Sequence, residues 1–217
     1  LKLQKQVDFL EENDDFVVCC HNAKIIDSKG DPIQDKKLPT LNENKIYSEL
    51  ELKKGAFLLT LSLVFRNLSI LKYFPEEGFK VSNGDTFLIS LLGNYGKGYY
   101  KEDLKSAAYR KHAGSVWSHN NQVEKIKKHI VLYQALKKFY TRYCDDEMII
   151  YYNKQIILRL KSLITHSYMI SSYGFFLKVL LKYIRKKRLS ILKPFYLKHL
   201  IKNLIKFHLS YFSLKRF

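Results

Sequence analysis

Beyond Glu147 the chain contains no acidic residue. All 20 Asp and Glu lie at or before that position, whereas Met148–Phe217 carries 15 Lys and Arg. The net charge of +18 therefore divides into +15 for that stretch and +3 for residues 1–147. The absence excludes a self-neutralising C-terminal surface and points to an anionic partner, either a membrane surface or nucleic acid. Cysteine is scarce as well. Cys19 and Cys20 are adjacent and Cys144 is distant, which gives neither a disulfide framework nor a zinc spacing and suggests a reducing compartment. No run of around twenty uncharged apolar residues occurs, so no transmembrane helix is expected. No internal repeat is present. The opening, LKLQKQVDFLEEN, is charged and amphipathic and shows no signal peptide. It begins with Leu1 and not Met, so the gene product is expected to start further upstream.

What is present suits a globular body. The 217 residues are 47% apolar, enough for one ordinary domain with a core and an appendage. Leu3, Val7 and Leu10 form an apolar stripe that predicts a helix over Leu1–Glu12. Phe16-Val17-Val18-Cys19-Cys20 is a continuous apolar run bounded by turn residues, as in a buried strand of an α/β sheet. Residues 33–48 read as a loop, and a short helix around Leu50 and Leu52 stops at Gly55. Phe57–Phe65, FLLTLSLVF, reads as a buried strand. Asp85–Leu92 reads as a helix ending near Gly93-Asn94 or Gly96, followed by extended segments at Gly98–Tyr100 and Ala107–His112. From Asn121 onward helix dominates, with Val123, Ile126, Ile130, Leu136 and Phe139 near one face.

Two residues in Ser82–Trp117 are candidates for chemistry. Asp85 stands at a helix start, and His112 follows in the Gly-containing stretch Tyr109–Ser115. By themselves they fit an acid placed to suit the helix dipole and a histidine that orders a loop. Arg110 suits a phosphate or a structural ion pair equally, and Trp117, the only Trp, suits sugar stacking or core packing.

Five stretches in order resemble the second half of a family 2 glycosyltransferase with the GT-A fold, of the bacterial surface-polysaccharide type. Leu1–Glu11 is similar to the helix that follows the metal-binding acidic motif, and Val17–Asn22 to the next strand. Phe65-Arg66-Asn67 resembles the end of the strand before the acceptor side. Gly84-Asp85-Thr86-Phe87-Leu88 resembles the segment with the catalytic acid, and Tyr109–Trp117 the loop that closes the domain. The resemblance implies an α/β fold: an incomplete GT-A, Rossmann-like domain with a mixed sheet over residues 1–120, then a basic α-helical extension over 121–217. It implies Asp85 as the general base that deprotonates the acceptor hydroxyl, and Arg110, His112 and Trp117 as substrate-binding residues, with His112 also a candidate metal ligand. The implied partners are a nucleotide-sugar donor and a glycan or lipid-linked acceptor.

The likeness has two departures. Relatives place a His and a Ser-Ser pair where Leu59, Leu61 and Ser62 stand. The nucleotide-binding half with its Asp-x-Asp motif, which holds Mg or Mn, is missing from this chain. Residues 1–217 alone are therefore expected not to transfer sugar at a useful rate. The alternative reading is a non-catalytic remnant of a GT-A domain that binds a membrane or a partner.

The extension is read physically. Arg185, Lys186, Lys187 and Arg188 form a compact basic cluster, and Lys198, Lys202 and Lys206 a stripe opposite Leu197, Leu200, Ile201, Leu204 and Ile205. Such a helix suits an anionic lipid interface or the surface of the protein body. Nucleic acid ranks behind lipid because no RNA-binding motif accompanies the many Tyr and Phe. The expected location is cytoplasmic, peripheral on the inner face of the cell membrane.

Overall fold

The computed structural model describes residues 2–112 and 121–170, together with 178, 179, 182 and 183. The chain divides into two compact units, residues 1–119 with 135–151 and residues 120–134 with 152–217. The first unit is an α/β body with open, mixed sheets.

Helix α1 spans Lys2–Glu12. Strand β1 (Phe16–Cys20) follows and is buried along nearly its whole length, as its unbroken apolar run requires. Only His21 and Asn22 separate it from β2 (Ala23–Ile26). β3 (Pro32–Gln34) and β4 (Lys45–Tyr47) come next, then α2 (Glu49–Lys53). A 3-10 turn over Thr60–Ser62 leads into the two-residue β5, Val64–Phe65. A second 3-10 turn, Ser69–Tyr73, and α3 (Glu76–Phe79) precede α4 (Gly84–Leu92), β6 (Lys97–Tyr100) and β7 (Ala107–Arg110).

The strands form two sheets, ordered β4-β6-β1-β5 and β3-β2-β7. In each, one pair is parallel, β1 with β6 and β2 with β7, and the other neighbours are antiparallel. Since β1 leads straight into β2, the two parallel pairs lie end to end as a bent ribbon. Lys101 N donates to Cys20 O at 2.8 Å and Ala107 N to Asn22 O at 3.2 Å, which carries the pairing through the bend. Asn22 fixes the bend itself. Its Oδ1 accepts from Ala23 N and Leu38 N, and its Nδ2 donates to Leu38 O. The core of this unit gathers Val17, Val18 and Cys20 with Tyr47, Leu52, Ile89, Leu92 and Tyr100.

Three local expectations differ from the structure. The buried face of α1 is Gln6 and Leu10; Leu3 and Val7 are exposed. Gln6 is inside because its Nε2 donates to Cys19 O at 3.1 Å and Ser62 O at 2.9 Å, joining two segments that offer it carbonyls. The loop expected over 33–48 contains the short strands β3 and β4. Phe57–Phe65 is not one strand, because Ser62 turns the chain: its Oγ donates to Leu59 O at 2.8 Å and accepts from His21 N at 3.2 Å.

Helices α5 (Gln122–Arg142) and α6 (Asp146–Ile170) pass through both units. Cys144, at φ +53°, turns the chain between them, and Asp145 caps α6 by accepting from Met148 N at 3.1 Å. Within the first unit, Phe139 meets Phe87 edge-on, and Lys138 and Arg142 hold Glu77. Within the second unit, Val123, Ile126 and Ile130 of α5 pack with Ile156, Leu160, Leu163 and Ile164 of α6 and with Val179 and Tyr183. Spacings of three and four put these residues on one stripe of each helix. Among the described residues no helix is long and apolar enough to cross a membrane.

Candidate active site

Asp85 is the second residue of α4, half-buried at the end where backbone N–H groups point outward. Its Oδ1 accepts from Thr86 N at 2.7 Å and its Oδ2 from the Thr60 hydroxyl at 2.8 Å. A carboxylate has about four lone-pair sites, so these bonds orient the group and leave it capacity for a further hydroxyl.

The helix that carries it is fixed firmly. Phe87, Ile89, Leu91 and Leu92 are buried, and Ser90 Oγ donates to Lys53 O at 2.6 Å. Tyr140 Oη donates to Ser90 O at 2.9 Å, and burial of this phenol raises its pKa to about 12. At the C-terminal end, a Cβ on Gly93 would lie 2.6 Å from Lys53 N and 2.7 Å from Glu49 O. Only glycine allows α4 so close to α2.

A hollow of about 410 Å³ opens in the same unit, lined by Leu38, Leu41, Lys45, Tyr47, Glu51 and the Gly55–Phe57 segment, among others. Gly55, at φ +78°, turns the chain out of α2 toward exposed Phe57. Phe57 and Thr60 are three residues apart, a reach of at most about 11 Å. The hollow and Asp85 are thus served by one short segment. The 3-10 turn that carries Thr60 also packs against β7, so α4 and the strand of Arg110 approach the same turn.

Arg110 is exposed at the end of β7, and its Nη1 donates to Asp27 O at 3.1 Å and Ser28 O at 2.8 Å. It clasps the β2–β3 turn. Asp27 folds that turn by accepting from the backbone N–H groups of Lys29, Gly30 and Asp31. These bonds, Asp31's foremost, hold its carboxyl below the ordinary carboxylate value. His112 is exposed just past β7. Among the described residues no hydrogen bond or ion pair joins Asp85 to Arg110 or His112. Trp117, the basic cluster Arg185–Arg188 and Lys198, Lys202 and Lys206 lie outside the described residues.

The resemblance implies a divalent metal, which takes oxygen ligands from carboxylates, substrate phosphates and water. Among the described residues no three His, Cys, Asp or Glu side chains gather closely enough to hold one.

Two features escaped the reading of the sequence. Thr60 looked like one polar residue in an apolar run; that position was the available signal, since an apolar strand core has no use for a hydroxyl. His21 is fully buried, with Nδ1 donating to Asn22 O at 2.7 Å and Nε2 without a partner among the described residues. Burial lowers its pKa, and the ring is held neutral. Nearby Cys19 is pushed up to about 11, chiefly by burial, so it is an inert thiol. No protein-family model, curated protein or solved structure matches this chain.

Proposed function

We propose that this chain carries the acceptor side of a GT-A glycosyltransferase of the family 2 type, which moves a sugar from a nucleotide donor to a glycan or lipid-linked acceptor. The observation that carries the reading is Asp85, held half-buried at the start of α4 by Thr60 and Thr86. The family-like stretches Gly84–Leu88 and Tyr109–His112 supply α4 and the end of β7, which approach the turn holding Thr60. The acceptor oxygen forms its bond to the anomeric carbon while the bond from that carbon to the diphosphate breaks. The diphosphate leaves with the electron pair, and the hydroxyl proton passes to the Asp85 carboxylate. Thr60 is a positioning residue in this scheme. Arg110 and His112 belong to the diphosphate side, and the hollow beside Phe57 receives the acceptor. The basic residues beyond 184 place the enzyme on an anionic membrane surface.

The test is sugar transfer by the natural polypeptide that contains residues 1–217, compared with its Asp85→Asn variant. The variant is expected to lose at least about a hundredfold in kcat and to bind donor nucleotide as before. Turnover near the parent level removes Asp85 from the mechanism. Absence of transfer in the parent, across nucleotide-sugars and metals, supports a non-catalytic binding module instead.

A further inference from the structure

The second unit is unusual in charge. Over residues 120–134 and 152–217 it carries 18 Lys and Arg against one acid, Glu124, a net +17. Glu124 is already engaged with Lys127 at 2.7 Å. With one acid to 18 cations, most of the positive charge of this unit is not balanced within it.

Inside the same unit lies a cavity of about 370 Å³, within the range of small-molecule sites. Its floor is aliphatic: Ile130 from α5, Leu160 and Leu163 from α6, and Val179, all buried. Its rim carries Lys127, Lys178 and Lys182. Lys178 and Lys182 are exposed and stand four residues apart. An aliphatic floor with ammonium groups at the mouth complements an amphiphile with an apolar chain and an anionic head.

We propose that this cavity binds an anionic phospholipid, with one acyl chain on the Ile130–Leu160–Leu163–Val179 floor and the phosphate between Lys178 and Lys182. Nucleic acid fits less well, because the described residues of the lining include no aromatic ring on which a base would stack. The site belongs to the helical unit alone and does not depend on the transferase reading. It also differs from diffuse attraction by the basic tail, because the chain enters the protein.

The probe is lysophosphatidylglycerol with a brominated acyl chain, used below its micelle concentration on the full chain carrying Val131→Trp. Val131 lines the cavity and is 46% exposed, so a larger ring there is tolerated. The unsubstituted chain corrects for Trp117, and Gln134→Trp, also at the exposed lining, serves as the second reporter. Saturable bromine quenching of the reporter is expected. Binding should weaken about fivefold for each of Lys178→Gln and Lys182→Gln, and lysophosphatidylcholine should bind more weakly than the glycerol lipid. Three results overturn the proposal: no quenching at either reporter while phosphatidylglycerol vesicles still bind, equal affinity for the choline lipid, or tighter binding of a single-stranded oligonucleotide than of the lipid.

Discussion

The Thr60 hydroxyl donates a 2.8 Å hydrogen bond to Oδ2 of Asp85, joining positions 25 residues apart. The bond ties the 3-10 turn to the start of α4 and sets how the carboxylate faces outward. If Asp85 accepts a proton from substrate, this bond decides its direction. Thr60→Val should lower kcat about tenfold, the worth of one good hydrogen bond, with little change in donor KM. Thr60→Ser should restore the rate. A thermal melt separates this effect from unfolding; equal activity in the Val and Ser variants would make Thr60 merely structural.

Gln6 holds two buried carbonyls at once, those of Cys19 and Ser62. Gln6→Leu keeps the approximate size but removes both bonds, each worth about 0.5–1.5 kcal/mol net. The variant is expected to lose roughly 1–3 kcal/mol, read as a lower urea midpoint with an unchanged slope. Loss below the resolution of the melt would mean that the two carbonyls do not depend on Gln6.

Glu77 is 5% exposed and faces Lys138 at 3.2 Å and Arg142 at 2.8 Å. Burial pushes its carboxyl up, but its own backbone N–H and the two cations outweigh that and hold the pKa below the ordinary value. The folded value therefore lies below the unfolded one. The stability it supplies is fully present above about pH 5, past the unfolded value of about 4.3, and is lost as pH falls through the folded value. Both cations are half-exposed or more, which limits the effect. Glu77→Gln should cost about 1–2 kcal/mol at neutral pH. Melts of parent and variant should converge in acid, and a difference that grows toward low pH would contradict the assignment.

Two glycines in α4 and its cap make a controlled pair. Gly93→Ala drives a Cβ into backbone atoms of α2 and is expected to cost more than about 2 kcal/mol. Gly84→Ala meets nothing within 4 Å, and its φ lies outside the left-handed region. It should be neutral or stabilising by up to about 1 kcal/mol. Equal melting temperatures for the two variants would show that α2 and α4 are not held by this backbone contact.

The sequence made some elements legible and concealed others for physical reasons. β1 was readable because a strand buried on both faces is a continuous apolar run, and α4 because Gly84-Asp85 and Gly93 bracket an apolar stretch. β3 and β4 were not, since three-residue strands are too short to show alternation. The face of α1 was misleading: a hydropathy stripe ranks Leu3 and Val7 above Gln6, yet two buried carbonyls draw an amide inward. Phe57–Phe65 read as a strand because its two hydroxyls look incidental until Ser62 is seen turning the chain and Thr60 holding Asp85. The role proposed for Asp85 rests only on its likeness to a family segment, and its partner Thr60 is visible only in the structure.

β5 is the last strand of its sheet and only two residues long, with α1 packed beside it. Leu3, Val7 and Phe65 are exposed on these two elements. Among the described residues that flank is a sheet edge with apolar side chains, the kind of surface an extended peptide pairs with. In preparative terms the chain should be prone to pair with its own copies as it is concentrated. The practical remedy is a charge at Phe65, where Phe65→Lys changes only the exposed side chain and leaves the pairing of β5 with β1 intact while making the edge repel itself.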